Sequence, residues 1–308
     1  MPIASPGPVH PPRSGRPPRR RPVRRTHPYR IIHQEPHLKI LILSPHRDDA
    51  AFSLSIAITN WLTARHTVTI VNVFTRSRYA PYSDAAFVHE NDELSYVTAM
   101  RLREDEAFLR RITQNLPKGL KKHLHMADLN LKDAPIRLRI PLEEVSDTPV
   151  SPTDHSIEKI RKALTKQSEA GTMEALVVPA ALGNHIDHLA VREAAQPFIA
   201  NLPTAYYEDL PYAATHPSAA TDLEVLREAA EKRNDPLTPV TYQIQSAIEL
   251  KRKLVLGYAS QIDDETGTLI ANFAQRYNGG ERLWANRHWH SSFTSNQEPN
   301  VEHLPASK

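Results

Sequence analysis

Two short clusters combine histidine with aspartate: Ser44-Pro45-His46-Arg47-Asp48-Asp49 and, about 140 residues later, Gly183-Asn184-His185-Ile186-Asp187-His188. Imidazole and carboxylate bind divalent cations and also move protons. A catalytic zinc site uses three protein ligands and keeps a fourth position open for water. The first cluster can supply His46 and one aspartate, and the second can supply one histidine. One aspartate and one histidine then remain for proton transfer. A metal so held lowers the pKa of water to roughly 7 and polarises a carbonyl, an inventory that fits amide or ester hydrolysis. An Asp-Asp pair after a strand also caps helices, and a lone loop histidine is usually solvated. Two such clusters, each after an apolar run and each opening a helix, favour a metal site.

Composition narrows the chemistry. The chain has 308 residues, 40% of them apolar, and no cysteine. Length allows one large domain or two small ones. Without cysteine there is no disulfide, no thiolate zinc site and no cysteine nucleophile, so a metal must rest on His, Asp or Glu. The same absence suits a reducing, cytoplasmic setting. Residues 1–36 hold eight arginines, one acid and ten of the 26 prolines, a local net charge of +7 that leaves −4 of the overall +3 for the rest. This composition predicts a disordered tail. Its charge suits nucleic acid or an anionic surface, but a solvated extension is the simpler reading, so nucleic acid is not an expected partner. No apolar run has the length of a secretory signal core or of the roughly 20 residues that span a membrane.

The clusters need elements to position them. Lys39 to Leu43 is a continuous apolar run bounded by Ser-Pro, as in a central parallel strand. Ala50 to Ala64 is apolar at helical spacing, and Thr67 to Phe74 is a β-branched strand. Loop 75–90 carries Arg76, Arg78, Tyr79 and Tyr82, candidate clamps for a polar or anionic substrate group. Glu93 to Thr113 reads as an amphipathic helix, and His123 to Ala127 as a short strand ending at Asp128. A helix from Asp154 to Glu169, a strand from Glu174 to Ala180 and a helix from His188 to Ala200 follow. Thr204 to Glu208 resembles a strand and Ser246 to Ala259 a helix. Residues 130–153 and 213–240 read as irregular insertions. Strands alternating with helices predict an α/β fold, with a mostly parallel sheet covered by helices on both faces. Ligands of such sheets bind at the carboxyl ends of strands, where both clusters fall.

The first cluster resembles the Pro-His-Pro-Asp-Asp signature of the PIG-L/LmbE-like de-N-acetylases, and the second resembles that family's His-Pro-Asp-His signature, in the same order and strand context. Weaker similarities lie at Arg103-Glu104-Asp105-Glu106-Ala107, at Asp128, and from Lys251 to Gln261. The resemblance spans roughly Leu38 to Trp284 and implies a Rossmann-like fold and a zinc-dependent hydrolase that removes acetyl groups from N-acetylglucosamine-type amines. Carried over, it implies His46, Asp49 and His188 as zinc ligands, Asp48 as general base, His185 as oxyanion stabiliser and acid, and Asp187 as the group orienting a neighbouring histidine. Arg76, Tyr79, Arg103 and Asp128 are the expected substrate contacts. The expected organisation is a tail over 1–36, a deacetylase domain over 37–290 and a C-terminal tail over 291–308. Zinc is the expected metal, with Fe2+ as an alternative. The expected partner is a small N-acylated amino-sugar-like molecule. An amidase or esterase on a non-sugar metabolite, or a non-catalytic binding protein with a basic tail, are the competing readings. The chain departs from the family pattern at Arg47 and Ile186, each in place of proline, and in the glycine-poor run Ala50-Ala51-Phe52-Ser53-Leu54-Ser55.

Overall fold

The computed structural model describes residues 37–294 apart from 115 and 152, so the expected tail over 1–36 and most of 291–308 lie outside the described residues. The elements run β1 (Lys39–Ser44), α1 (Asp49–Thr63), β2 (Thr67–Asn72), α2 (Glu90–Ile112), β3 (Leu124–Asp128), α3 (Ala134–Leu138), α4 (His155–Glu169), β4 (Ala175–Pro179) and α5 (Ile186–Ile199). After them come β5 (Thr204–Tyr207), α6 (Tyr212–Thr215), α7 (Ala219–Lys232), β6 (Thr238–Gln243), α8 (Ala247–Val255), α9 (Asp264–Phe273), β7 (Gly280–Ala285) and α10 (Arg287–Thr294). Helix α10 crosses the boundary expected at 290.

The strands form one seven-stranded sheet in the order β3-β2-β1-β4-β5-β7-β6. Strands β1 to β5 pair in parallel, while β7 is antiparallel to both β5 and β6. Parallel strands need helical crossovers, and these cover both faces. In β1, Ile40 and Ile42 pack with α1, Phe108 and Ile112 of α2, and Trp289 of α10. The alternate residues Leu41 and Leu43 pack with Ile157 and Ile160 of α4, Val191 of α5 and Leu226 of α7. That double burial is why β1 reads as an unbroken apolar run. Helix α1 is buried nearly all round. Removing Leu54 from it, as Leu54→Ala, would cost about 2–5 kcal/mol.

Two expectations change. Neither stretch expected to be irregular is so throughout: 130–153 holds α3, and 213–240 holds most of α6, α7 and the start of β6. The sheet also continues past β5 into an antiparallel pair. Edge strand β6 carries Pro239 and is largely exposed, and β7 carries Glu281 and Arg282. Neither has the apolar signal of the parallel strands.

Candidate active site

Both clusters sit past the carboxyl ends of neighbouring strands, the first after β1 and the second after β4. The turn after β1 is held by Ser44, whose Oγ donates to His46 O at 2.6 Å and accepts from Ala50 N at 3.0 Å. Ser44 thus satisfies an amide of the first turn of α1, and Asp48, the residue at its N-cap, makes no side-chain cap bond. The aspartates are therefore not spent on helix capping. Asp49 accepts from His46 N at 2.6 Å, and Asp48 faces a cavity and accepts from Arg101 Nη2 at 3.0 Å. At the second cluster, His185 caps α5: its Nδ1 accepts from Asp187 N at 3.1 Å.

The departures from the family pattern have structural causes. Ile186 N donates to Val145 O at 2.8 Å, a bond proline cannot make, and its side chain packs on Ala134 and Val145. Arg47 is buried between Asp105, at 2.6 Å from Nη1, and Asp128, at 2.6 Å from Nη2.

Three side chains converge. His46, Asp49 and His188 each offer a ligand atom, all within 4.8 Å of one another. His188 Nε2 lies 3.4 Å from Asp49 Oδ2 and is buried without a hydrogen-bond partner among the described residues. The far side of each imidazole is held by a carboxylate. His46 Nε2 lies 3.0 Å from Asp187 Oδ2. His188 Nδ1 lies 2.6 Å from Asp209 Oδ1. Carboxylates behind metal-binding imidazoles fix tautomer and ring orientation. His46, His185 and Asp187 form a second group of the same tightness, but Asp187 already serves Arg137 and Ala134 N as well as His46. The first set keeps one ligand atom, His188 Nε2, without a hydrogen-bond partner among the described residues, and its chemistry fits a divalent cation.

Electrostatics point the same way. Burial alone would lower the His46 pKa, yet Asp187 and Asp49 raise it to about 10. Burial would raise Asp49, but His188 and His46 hold it down at about 2. Asp187 is likewise held low against burial by His46 and Arg137. These shifts report the pairing of imidazole with carboxylate inside the cluster. His185 behaves oppositely: burial and the positive charge at His46 push it down to about 3. Because Nδ1 accepts from a backbone amide, a neutral ring carries its hydrogen on Nε2.

The cavity has a volume of about 340 Å³, at the lower end of the range for small-ligand sites. Polar groups His46, Asp48, Asp49, Arg101, Asp133 and His185 line it, and Phe52, Leu142, Ile262 and Tyr212 supply apolar wall. A larger groove of about 980 Å³, bounded by Asn60, Gln243 and Lys253, contains no comparable cluster.

The expected substrate contacts divide. Tyr79 lines the cavity. Arg76 instead bridges Lys132 and borders a separate surface hollow. Arg103 is exposed: two helical steps turn it about 200° from Arg101, and Arg101 is the arginine that faces in. Asp128 pairs with Arg47 behind the first cluster. Sequence reasoning missed Arg101, Asp133 and Asp209. Asp209 had a signal, since it stands just past a strand end like the motif residues. Asp133 caps α3, accepting from Ile136 N at 3.4 Å, and burial raises its pKa.

Comparison with known proteins fits this site. The family model described as "PIG-L: GlcNAc-PI de-N-acetylase" matches residues 41–199, more than half of the chain. The 2'-N-acetylparomamine deacetylase of Streptomyces fradiae is 29% identical over 254 residues, covering 80% of this chain and 81% of that protein. Among solved structures, the zinc-inhibited form of teicoplanin deacetylase Orf2 superposes with a TM-score of 0.57 at 22% identity, covering 80% of this chain and 97% of that one. The N,N'-diacetylchitobiose deacetylase of Pyrococcus horikoshii gives a TM-score of 0.50 at 18% identity, covering 82% and 85% of the two chains. These two structures share the fold, and the match over 41–199 shows more: the chain belongs to the PIG-L family of GlcNAc-PI de-N-acetylases.

Proposed function

We propose that this protein is a metal-dependent deacetylase that hydrolyses the acetamide of a small N-acetylated amino sugar, with His46, Asp49 and His188 as the metal ligands. The convergence of these three donors around the unpartnered Nε2 of His188 carries the reading. Zinc is the proposed ion, and iron suits the same ligands. When bound, such an ion polarises the amide carbonyl and makes water a better acid.

The chain's own groups supply the proton transfers. Asp48 is the base: it borders the cavity beside Asp49, and adjacency in sequence points the two carboxylates in different directions. It removes a proton from the attacking water and returns one to the departing nitrogen. Arg101, 3.0 Å from Asp48, fixes the carboxylate's orientation. His185 Nε2–H donates to the oxygen as the carbonyl becomes tetrahedral, which a neutral imidazole can do without losing its proton. Asp187 holds the His46 ring from behind. Asp133 and Tyr79 are proposed to meet the sugar, Asp133 as a hydrogen-bond acceptor.

The acetylparomamine relative supports an amino-sugar substrate. No helix among the described residues is long and apolar enough to cross a membrane, and the cysteine-free sequence fits a cytoplasmic enzyme. The test is metal analysis followed by a panel of N-acetylated amino sugars, scored by release of acetate and free amine. Turnover that is lost on chelation and restored by zinc or iron supports the reading. A metal-loaded protein inert on the whole panel, or one that hydrolyses only esters, would overturn it.

A further inference from the structure

Arg101 and Asp105 stand one turn apart on α2, both buried, at 3% and 1% exposure. Arginine and aspartate four residues apart on a helix are within reach of each other. Here each pairs elsewhere. Arg101 Nη2 donates to Asp48 Oδ1 at 3.0 Å. Asp105 Oδ2 accepts from Arg47 Nη1 at 2.6 Å, and its remaining bonds are to Asn72 Nδ2 at 3.1 Å and Tyr258 OH at 2.9 Å. Arg47 follows His46 directly and stands where the family signature carries proline.

We infer that Arg47 is a positioning residue: by neutralising Asp105 it keeps Arg101 on Asp48. A buried carboxylate without a cation is costly. Burial already pushes the Asp105 pKa up to about 7 against Arg47, and with Arg47 gone the groups left to oppose it are Tyr258 and Arg101. Arg101 is already on the same helix face, and its Nε is buried without a hydrogen-bond partner among the described residues. It would turn to Asp105 and release Asp48. Asp128, the second partner of Arg47, is 22% exposed, so water can satisfy it. The inference rests on the proposed role of Asp48 as base.

The test compares Arg47→Met, Asp105→Asn and the double variant in the metal-loaded protein. Arg47→Met is expected to lower kcat about tenfold or more with KM changed less than about threefold, at unchanged metal content. Asp105→Asn alone removes this rival carboxylate, so its kcat stays within about threefold of the parent, and the double variant recovers to the same level. Were Arg47 merely a brace for the loop, Asp105→Asn would be as damaging as Arg47→Met and the double variant no better; either outcome overturns the inference. If Arg47→Met does not fold, the double variant decides alone: near-parental kcat supports the inference, and a loss of more than about tenfold overturns it. The side-chain Nε–H resonance of Arg101, assigned with Arg101→Lys, gives a reading independent of turnover. It should shift in Arg47→Met and return in the double variant. Turnover that survives Asp48→Ala would sink the base assignment while leaving that resonance to judge Arg47, so the two failures are separable.

Discussion

Two buried polar clusters lie along α1 and differ in one respect. At its middle, Glu281 accepts from Lys251 Nζ, from Ile56 N and Ala57 N at 2.9 Å each, and from Ser55 Oγ at 3.4 Å. Both carboxylate oxygens are satisfied from within the protein. At its first turn, His46, Asp49 and His188 converge with the imidazole Nε2 of His188 left unpartnered. Both clusters bury charge, and in each a carboxyl pKa is displaced, Glu281 upward by burial and Asp49 downward, against burial, by His188 and His46. Buried charge therefore does not by itself mark a reactive site. The mark is three candidate ligand atoms within 4.8 Å of one another, one of which, His188 Nε2, has no hydrogen-bond partner among the described residues. The Lys251–Glu281 cluster is closed and holds the fold, whereas the His46–Asp49–His188 cluster is open and suited to a ligand.

The sharpest way to break this contrast is to remove members of the open cluster. Asp49→Ala and His188→Ala should lose the metal and with it at least about 10³-fold in turnover. Asp48→Ala should keep the metal and lose about 10²–10⁴-fold. Metal analysis beside amine release checks the division, and equal metal loss in all three variants would end it. The closed cluster should respond in the other currency. Lys251→Met leaves Glu281 buried and unpaired, which costs about 3–5 kcal/mol of stability, read as a shift in the denaturation midpoint. Turnover per folded molecule should not change, and Lys251→Met with Glu281→Gln should recover most of the loss. A fall in turnover at intact stability would show that the clusters are coupled.

Asp209→Asn tests the boundary between the two kinds of cluster. Asp209 is fully surrounded, yet its partner is a proposed ligand, His188 at 2.6 Å. Loss of a carboxylate behind a metal-bound histidine lowers metal affinity about 10–100-fold. Competition with a calibrated chelator measures it. Unchanged affinity would place Asp209 with the closed, structural groups.

The contrast also explains what the sequence made legible. The motif residues stand out because each follows an unbroken apolar strand, so linear order brings them to one end of the sheet. The closed cluster gave no such sign: Lys251 and Glu281 meet only because β7 turns back against the sheet, and Glu281 and Arg282 made that strand look unlike one. Facing direction on α2 was also hidden. Arg101 and Arg103 are equivalent in composition, and only the packing of Val97, Asp105 and Phe108 fixes which side of the helix is buried. Asp128 and Arg76 lie near strand ends as expected, but Arg47 takes the first and the bridge to Lys132 turns the second away.

The smallest expected effect concerns a histidine on the closed side of the comparison. His66 is buried, accepts from Leu38 N at 3.2 Å and packs edge-on against Phe293. Burial and then His37 push its pKa down from 6.5 to about 4. It is therefore neutral in the folded protein where the unfolded chain would already be protonated. Stability from this residue is complete above pH 6.5 and is lost as pH falls toward 4. Discounted for solvent entering beside exposed His37, the loss is on the order of 1–2 kcal/mol. His66→Phe should flatten the stability curve between those pH values without moving the pH profile of turnover. A shift in that profile would mean that a group walled off from the cavity still reaches the open cluster, and the distinction between closed and open would need redrawing.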